Sequence, residues 1–285
     1  LVTAFAIRGE RTSSVSALEA PVRIALYKGG PGNMDQGWTE WLFDTHGFKY
    51  TLIAPADLQA GNLGARFDVI VFASQGPSVG GGGRGGGGRG GRGGAGGRGG
   101  AGGRGAPPDS GSAPADPGLA AVDEFVRGGG TIVFWNGGAT QAINALQLPV
   151  RNVVQGFPRP QFFTGGSIMQ VITDPAHPVM SGMPARADVM VYNSPVFTTL
   201  PGFQGSVLAK YPTESSPLRS GFLNGENLMK GYAAALDVKR ERGHVLLIAF
   251  QPQWRGQPTG TFRIVFNAAF FGRDVSADAK RTAGF

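Results

Sequence analysis

The chain has 285 residues and is 41% hydrophobic, enough for one large domain or two small ones with a real core. It has no cysteine, which excludes a disulfide scaffold, a thiolate zinc site and a cysteine nucleophile. Of its 49 glycines, 19 lie between Gly80 and Gly105 beside Arg84, Arg89, Arg92, Arg98 and Arg104, so this run carries five charges of the net +7 and leaves the remainder near +2. The basic balance thus belongs to one insertion, and nucleic acid is not an expected partner. No apolar stretch approaches the roughly 18 residues that cross a bilayer, so no membrane span is expected.

Residues 1–20 open on Leu1, carry no signal-peptide pattern and turn polar and Ser-rich from Arg8 to Ala20. They read as a linker on a mature or cleaved piece of a longer protein, and residues 273–285 read as a tail. Val22 to Tyr27 is an apolar run of strand type, closed by the breakers of Gly29-Gly-Pro-Gly-Asn33. Helical spacing from Met34 to His46 puts Met34, Trp38, Trp41 and Leu42 on one face. Strands are predicted over Phe48 to Ile53 and over Phe67 to Ala73, the latter apolar enough to be buried on both faces of a parallel sheet. Asp116 and Pro117 look like an N-cap and first helical position, and Gly128-Gly-Gly130 ends that helix near Arg127. Thr131 to Trp135 is a fourth strand, followed by a helix over Ala139 to Leu146. The second half is richer in strands, over Ser167 to Thr173, Val196 to Thr199, Ser206 to Tyr211, Tyr232 to Val238 and His244 to Phe250. A helix over Thr261 to Phe271 closes the chain. The alternation predicts an α/β fold, a doubly wound, mostly parallel sheet with a strand-rich second half, interrupted at 80–105 on its carboxyl edge.

Several segments carry a resemblance. Arg23-Ile-Ala-Leu-Tyr27, Gly32-Asn-Met-Asp-Gln-Gly-Trp38 with Trp41-Leu42, and Ala60-Gly-Asn-Leu63 running into Phe67-Asp-Val-Ile-Val71 form a first block. Phe125-Val-Arg-Gly-Gly-Gly-Thr131 and Leu148-Pro-Val-Arg-Asn152 follow. Gly243 to Phe250 with Gln251-Pro-Gln253, then Gly260-Thr-Phe262 through Phe266-Asn267, form the last block. Together they resemble the C-terminal domain of large, secreted bacterial zinc-carboxypeptidase-like proteins, in which a metallopeptidase domain precedes a domain similar to class I glutamine amidotransferases. The resemblance spans roughly residues 20–272 outside the insertion. It implies a three-layer, flavodoxin-like α/β domain over 21–272 and a secreted, extracellular or periplasmic bacterial protein.

The same resemblance implies a nucleophilic cysteine on the sharp turn after a central strand. That strand corresponds to Thr131–Trp135 and the turn to Asn136-Gly137-Gly138, where no cysteine stands. A carboxamide cannot form the thioester that glutamine hydrolysis needs, so amidotransferase activity is not expected. Gly76-Pro77-Ser78-Val79-Gly80 matches G-x-S-x-G after a strand, but the helix that should follow Ser78 is replaced by Gly and Arg. His46, His177 and His244 are isolated, and none begins an H-x-x-E zinc motif. No metal or cofactor is expected. Asp35, at a helix N-terminus, is explained by the dipole alone or by a ligand pocket shared with Trp38 and Asn136. Trp254 and Arg255, in Gln251-Pro-Gln-Trp-Arg-Gly256, either line that same edge or anchor the last helix.

Two functions remain open. One is a non-catalytic accessory domain of a zinc-carboxypeptidase-like protein, supporting the peptidase domain or binding substrate or cell surface, with that N-terminal domain as its partner. The other is a structural subunit that polymerises with copies of itself through residues 1–20 and the Gly/Arg run, whose five arginines would be the contacts.

Overall fold

The computed structural model describes residues 21–30, 32–77 and 117–271. In the first half, strands and helices alternate: β1 (Ile24–Tyr27), α1 (Met34–Thr45), β2 (Tyr50–Ile53), α2 (Pro55–Gln59), α3 (Leu63–Arg66), β3 (Val69–Ala73), α4 (Pro117–Arg127), β4 (Thr131–Trp135) and α5 (Gly137–Ala145). The second half adds β5 (Val150–Asn152), β6 (Phe163–Thr164), β7 (Ser167–Thr173), β8 (Arg186–Val191), β9 (Phe197–Thr199) and β10 (Gly205–Lys210). It continues with β11 (Leu218–Ser220), β12 (Leu223–Asn224), β13 (Ala233–Arg240), β14 (Gly243–Ile248) and a last helix, α6, over 262–271.

The main sheet runs β11-β7-β10-β13-β14-β4-β3-β1-β2. From β14 to β2 every pairing is parallel, as predicted. Beyond β14 every pairing is antiparallel, with β8 added beside β7, and β9 joined to β13 and β5. β6 and β12 form a separate ribbon.

Alternation along the parallel strands builds two cores, because successive side chains point to opposite faces. Val69, Val71, Val133, Trp135, Leu246 and Ile248 pack with Leu42 and Phe43 of α1 and Ile264 and Val265 of α6. Ile70, Phe72, Ile132, Phe134, Val245 and Leu247 pack with α4 and α5 on the other side. This gives the three layers.

The sequence placed the apolar face of α1 incorrectly. Its buried residues are Asp35, Gln36, Thr39, Leu42 and Phe43, whereas Met34 is 51% and Trp41 42% exposed. The first turns of α1 bury polar groups that find partners at the strand ends, and hydrophobic spacing cannot reveal such a face. The helices over Pro55–Gln59 and Leu63–Arg66 and the strand over Arg186–Val191 were also unpredicted.

Registry sets the site. Ala73 pairs with Trp135, and Trp135 with Ile248, so β3, β4 and β14 end at one level. The residues that follow them emerge together at the carboxyl edge.

Candidate functional site

At that edge β4 turns sharply into α5 through Asn136, which holds φ 50 and ψ −131. This backbone region is costly for any residue with a Cβ. The turn is fixed from both sides. The Asn136 N–H donates to Ile248 O at 2.8 Å, and its carbonyl accepts from Ala139 N at 3.1 Å. Gly138 lies so close to the loop leaving β3 that a Cβ there would sit 2.4 Å from Gln75 O. The Gly76 N–H donates to Gln141 Oε1 at 2.7 Å, docking the same loop on α5.

The Asn136 carboxamide is engaged at both ends. Its Oδ1 accepts from Ser194 Oγ at 3.0 Å, and its Nδ2 donates to Tyr192 O at 3.4 Å. The Tyr192 ring stacks on Trp254 with centroids 5.9 Å apart, and the Arg255 guanidinium lies 5.0 Å from the Trp254 ring centre. Asn136, Trp254 and Arg255, all named from the sequence, are therefore joined through Tyr192.

Asp35 belongs to the adjoining strand ends. Asn33 caps α1, accepting from Gln36 N at 2.8 Å while its Nδ2 donates to Ala73 O at 3.0 Å. The buried Asp35 carboxylate accepts from the Ser74 hydroxyl and from Gln251 Nε2, while its carbonyl accepts from Gln253 Nε2 at 3.2 Å. The Oε1 atoms of Gln251 and Gln253 are buried without a hydrogen-bond partner among the described residues. Asp35 thus does more than complement the helix dipole: it holds the exits of β3 and β14 against α1. Trp38 joins another set, lying edge-on to Trp41, which packs against Phe262 of α6.

Beside Gly137 a cavity of about 210 Å³ opens between α5 and the segment from Asn152 to Thr164, with Asn193 and Ser194 on its rim. Sequence reasoning missed it, because its walls come from loops and a two-residue strand without periodicity. A larger concavity of about 460 Å³ lies at the opposite, amino end of the strands, beside Arg23, Asp68 and Arg242.

The structure also joins two histidines that look isolated in the sequence. His177 Nε2 lies 3.3 Å from Asp237 Oδ2, and His244 Nδ1 lies 2.8 Å from Asp237 Oδ1. Burial alone would push the Asp237 carboxyl pKa up, but the hydrogen bonds from the two rings outweigh it and hold the group below the usual aspartate value. Val179 N donates to His177 Nδ1, and Phe271 packs on both rings. This cluster ties β13, β14 and α6 together. Among the described residues, no group of three or more His, Cys, Asp or Glu is arranged to hold a metal ion, and no helix is long and apolar enough to cross a membrane. Ser78 and the arginines at 84, 89, 92, 98 and 104 lie outside the described residues.

No protein-family model and no curated protein matches the chain. Solved structures do. A GMP synthase-like protein from Thermoplasma acidophilum superposes with a TM-score of 0.52 at 10% identity, covering 92% of this chain and 99% of that one. A ThuA-like protein from Bacteroides uniformis gives 0.51 at 11% identity, covering 92% and 95%. A cytoplasmic protein from Salmonella typhimurium also gives 0.51 at 11%, covering 88% and 98%. At such identities the likeness is one of fold, and the fold is the α/β architecture of glutamine amidotransferase-like and ThuA-like proteins.

Proposed function

We propose that the chain is a non-catalytic accessory domain of a secreted bacterial zinc-carboxypeptidase-like protein, which supports the peptidase domain and binds its substrate at the carboxyl edge of the sheet. The observation that carries this reading is Asn136. At the strained turn where the resembled class places its nucleophile, this chain presents a carboxamide already bonded to Ser194 and Tyr192. Such a group positions a loop and offers no electron pair for attack on a carbonyl. The total absence of cysteine agrees with it. The Tyr192, Trp254 and Arg255 stack supplies an aromatic wall with a cationic tip, suited to holding a ligand rather than cleaving one.

The test is association. The peptidase domain of the parent protein and this chain, made separately, are mixed and sized by light scattering. A stoichiometric complex is expected. Failure to associate overturns the reading, and large particles formed by this chain alone overturn it in favour of the structural subunit.

A further inference from the structure

The cavity beside Gly137 has a chemistry of its own. It is walled by apolar and aromatic groups, among them Val154, Phe157 and Phe162, and no Asp or Glu lines it. Three features on its surface favour a negative charge. First, α5, nine residues long, begins at Gly137 with no side-chain cap, so its leading N–H groups and positive dipole end face the cavity rim. A Cβ on Gly137 would meet nothing within 4 Å, so this helix end is open to a ligand. Second, Thr164 is fully buried in the lining, and its hydroxyl has no hydrogen-bond partner among the described residues. A buried hydroxyl without a partner costs about 1–3 kcal/mol, a penalty that a ligand oxygen removes. Third, Arg159 lies 4.8 Å from the centre of the Phe163 ring and has no carboxylate partner among the described residues.

The remaining polar groups are already committed. Asn152 Nδ2 donates to Thr140 Oγ1 at 3.1 Å, and its Oδ1 accepts from Val154 N and Val196 N. They make the wall rigid and leave the helix end, Thr164 and Arg159 as the free donors. At about 210 Å³ the space is below the roughly 300–1,000 Å³ of sites for drug-sized ligands. It suits one amino-acid residue.

We infer that this cavity binds the terminal carboxylate of a peptide whose last residue is apolar or aromatic. The carboxylate sits between the α5 N-terminus, Thr164 and Arg159, and the side chain lies among the phenylalanines. Because the lining holds no acid, the ammonium group of a free amino acid has no counter-charge there. The ligand's nitrogen must therefore be acylated, as it is at a chain end. The inference deepens the accessory-domain reading and rests on it only for the source of the peptide.

The experiment is calorimetric titration of the whole chain with N-acetyl-L-phenylalanine, N-acetyl-L-phenylalaninamide and free L-phenylalanine. Saturable binding of the acid is expected, with the amide and the free amino acid each at least tenfold weaker. Arg159→Gln and Thr164→Val are expected to weaken the acid about tenfold while their circular-dichroism melting curves stay cooperative. Arg159 is exposed, so its variant keeps the test valid if the Thr164 variant fails to fold. No saturable binding of the acid, or equal binding of acid and amide, overturns the carboxylate assignment and leaves the accessory reading standing. Equal binding of free phenylalanine overturns the requirement for an acylated nitrogen. If the peptidase domain does not associate but the acid still binds, the accessory reading falls and the pocket remains.

Discussion

Gln251 donates its side-chain amide to both carboxylate oxygens of Asp35, at 3.1 and 2.9 Å, tying the turn after β14 to the first turn of α1. The Ser74 hydroxyl closes the same carboxylate from the β3 exit. Three loops at the carboxyl edge thus share one buried acceptor. Asp35→Ala leaves two buried donors without it, and unfolding in denaturant should show a loss of about 1–3 kcal/mol per orphaned group. Asp35→Asn should lose less, because Gln251 can turn its unpartnered Oε1 toward the new amide. An unchanged midpoint for the alanine variant would mean that the carboxylate is not structural and is held for a ligand.

Two neighbouring glycines should behave oppositely. A Cβ at Gly138 would lie 2.4 Å from Gln75 O and 2.7 Å from Gln75 N, both backbone atoms that cannot step aside singly. Gly138→Ala is expected to destabilise by about 1–3 kcal/mol, the usual range for overpacking. At Gly137 a Cβ meets open space, and alanine is the better helix former, so Gly137→Ala should stay within about 1 kcal/mol of the parent. Thermal melts of the two variants decide it, and equal losses would contradict the close approach of β3 and α5.

Asn136 offers a test of strain. With φ 50 and ψ −131, replacement by glycine relieves the backbone while replacement by alanine keeps its cost. Both variants lose the hydrogen bond from Ser194, so their difference isolates the conformation. Asn136→Gly should be more stable than Asn136→Ala by about 1–3 kcal/mol. The reverse order in chemical denaturation would refute the turn geometry.

Acid should weaken the β13–α6 region. The folded pKa of Asp237 lies below its unfolded value, so its stabilisation is fully present above about pH 4 and is lost as pH falls through the depressed value. Asp57, Asp123 and Glu226 are also lowered and contribute to the same acid limb. Subtracting the profile of Asp237→Asn from that of the parent isolates the one group. The difference should shrink as pH drops below about 4, and a difference that does not vary with pH would exclude Asp237 as its source.

Much of the fold was legible because burial had written it into composition. β3, β4 and β14 are apolar throughout, since both of their faces are covered, and β7 alternates along all seven residues, Ser167–Thr173. The short strands β5, β6, β11 and β12 have no such period and are held by their partners. At the site, Asn136 and Trp254 stood out beside glycine-rich or aromatic turns. Tyr192 and Ser194 did not, because what places them is the pairing of β8 with β7 and the contact of their loop with Asn136. The polar face of α1 was hidden for a related reason: the partner that makes Asp35 a core residue is separated from it by 216 positions.

The position of β14 has a consequence for how the molecule is made. β4 lies at the middle of the sheet, between β3 and β14, yet Thr131 meets its partner His244 only after nearly all of the chain exists. Until Gly243–Ile248 emerges, Thr131–Trp135 shows a bare apolar edge that any passing strand can extend. The nascent protein is thus most open to mispairing just before it is finished, and a chain cut short by its last forty residues would keep that adhesive edge for good.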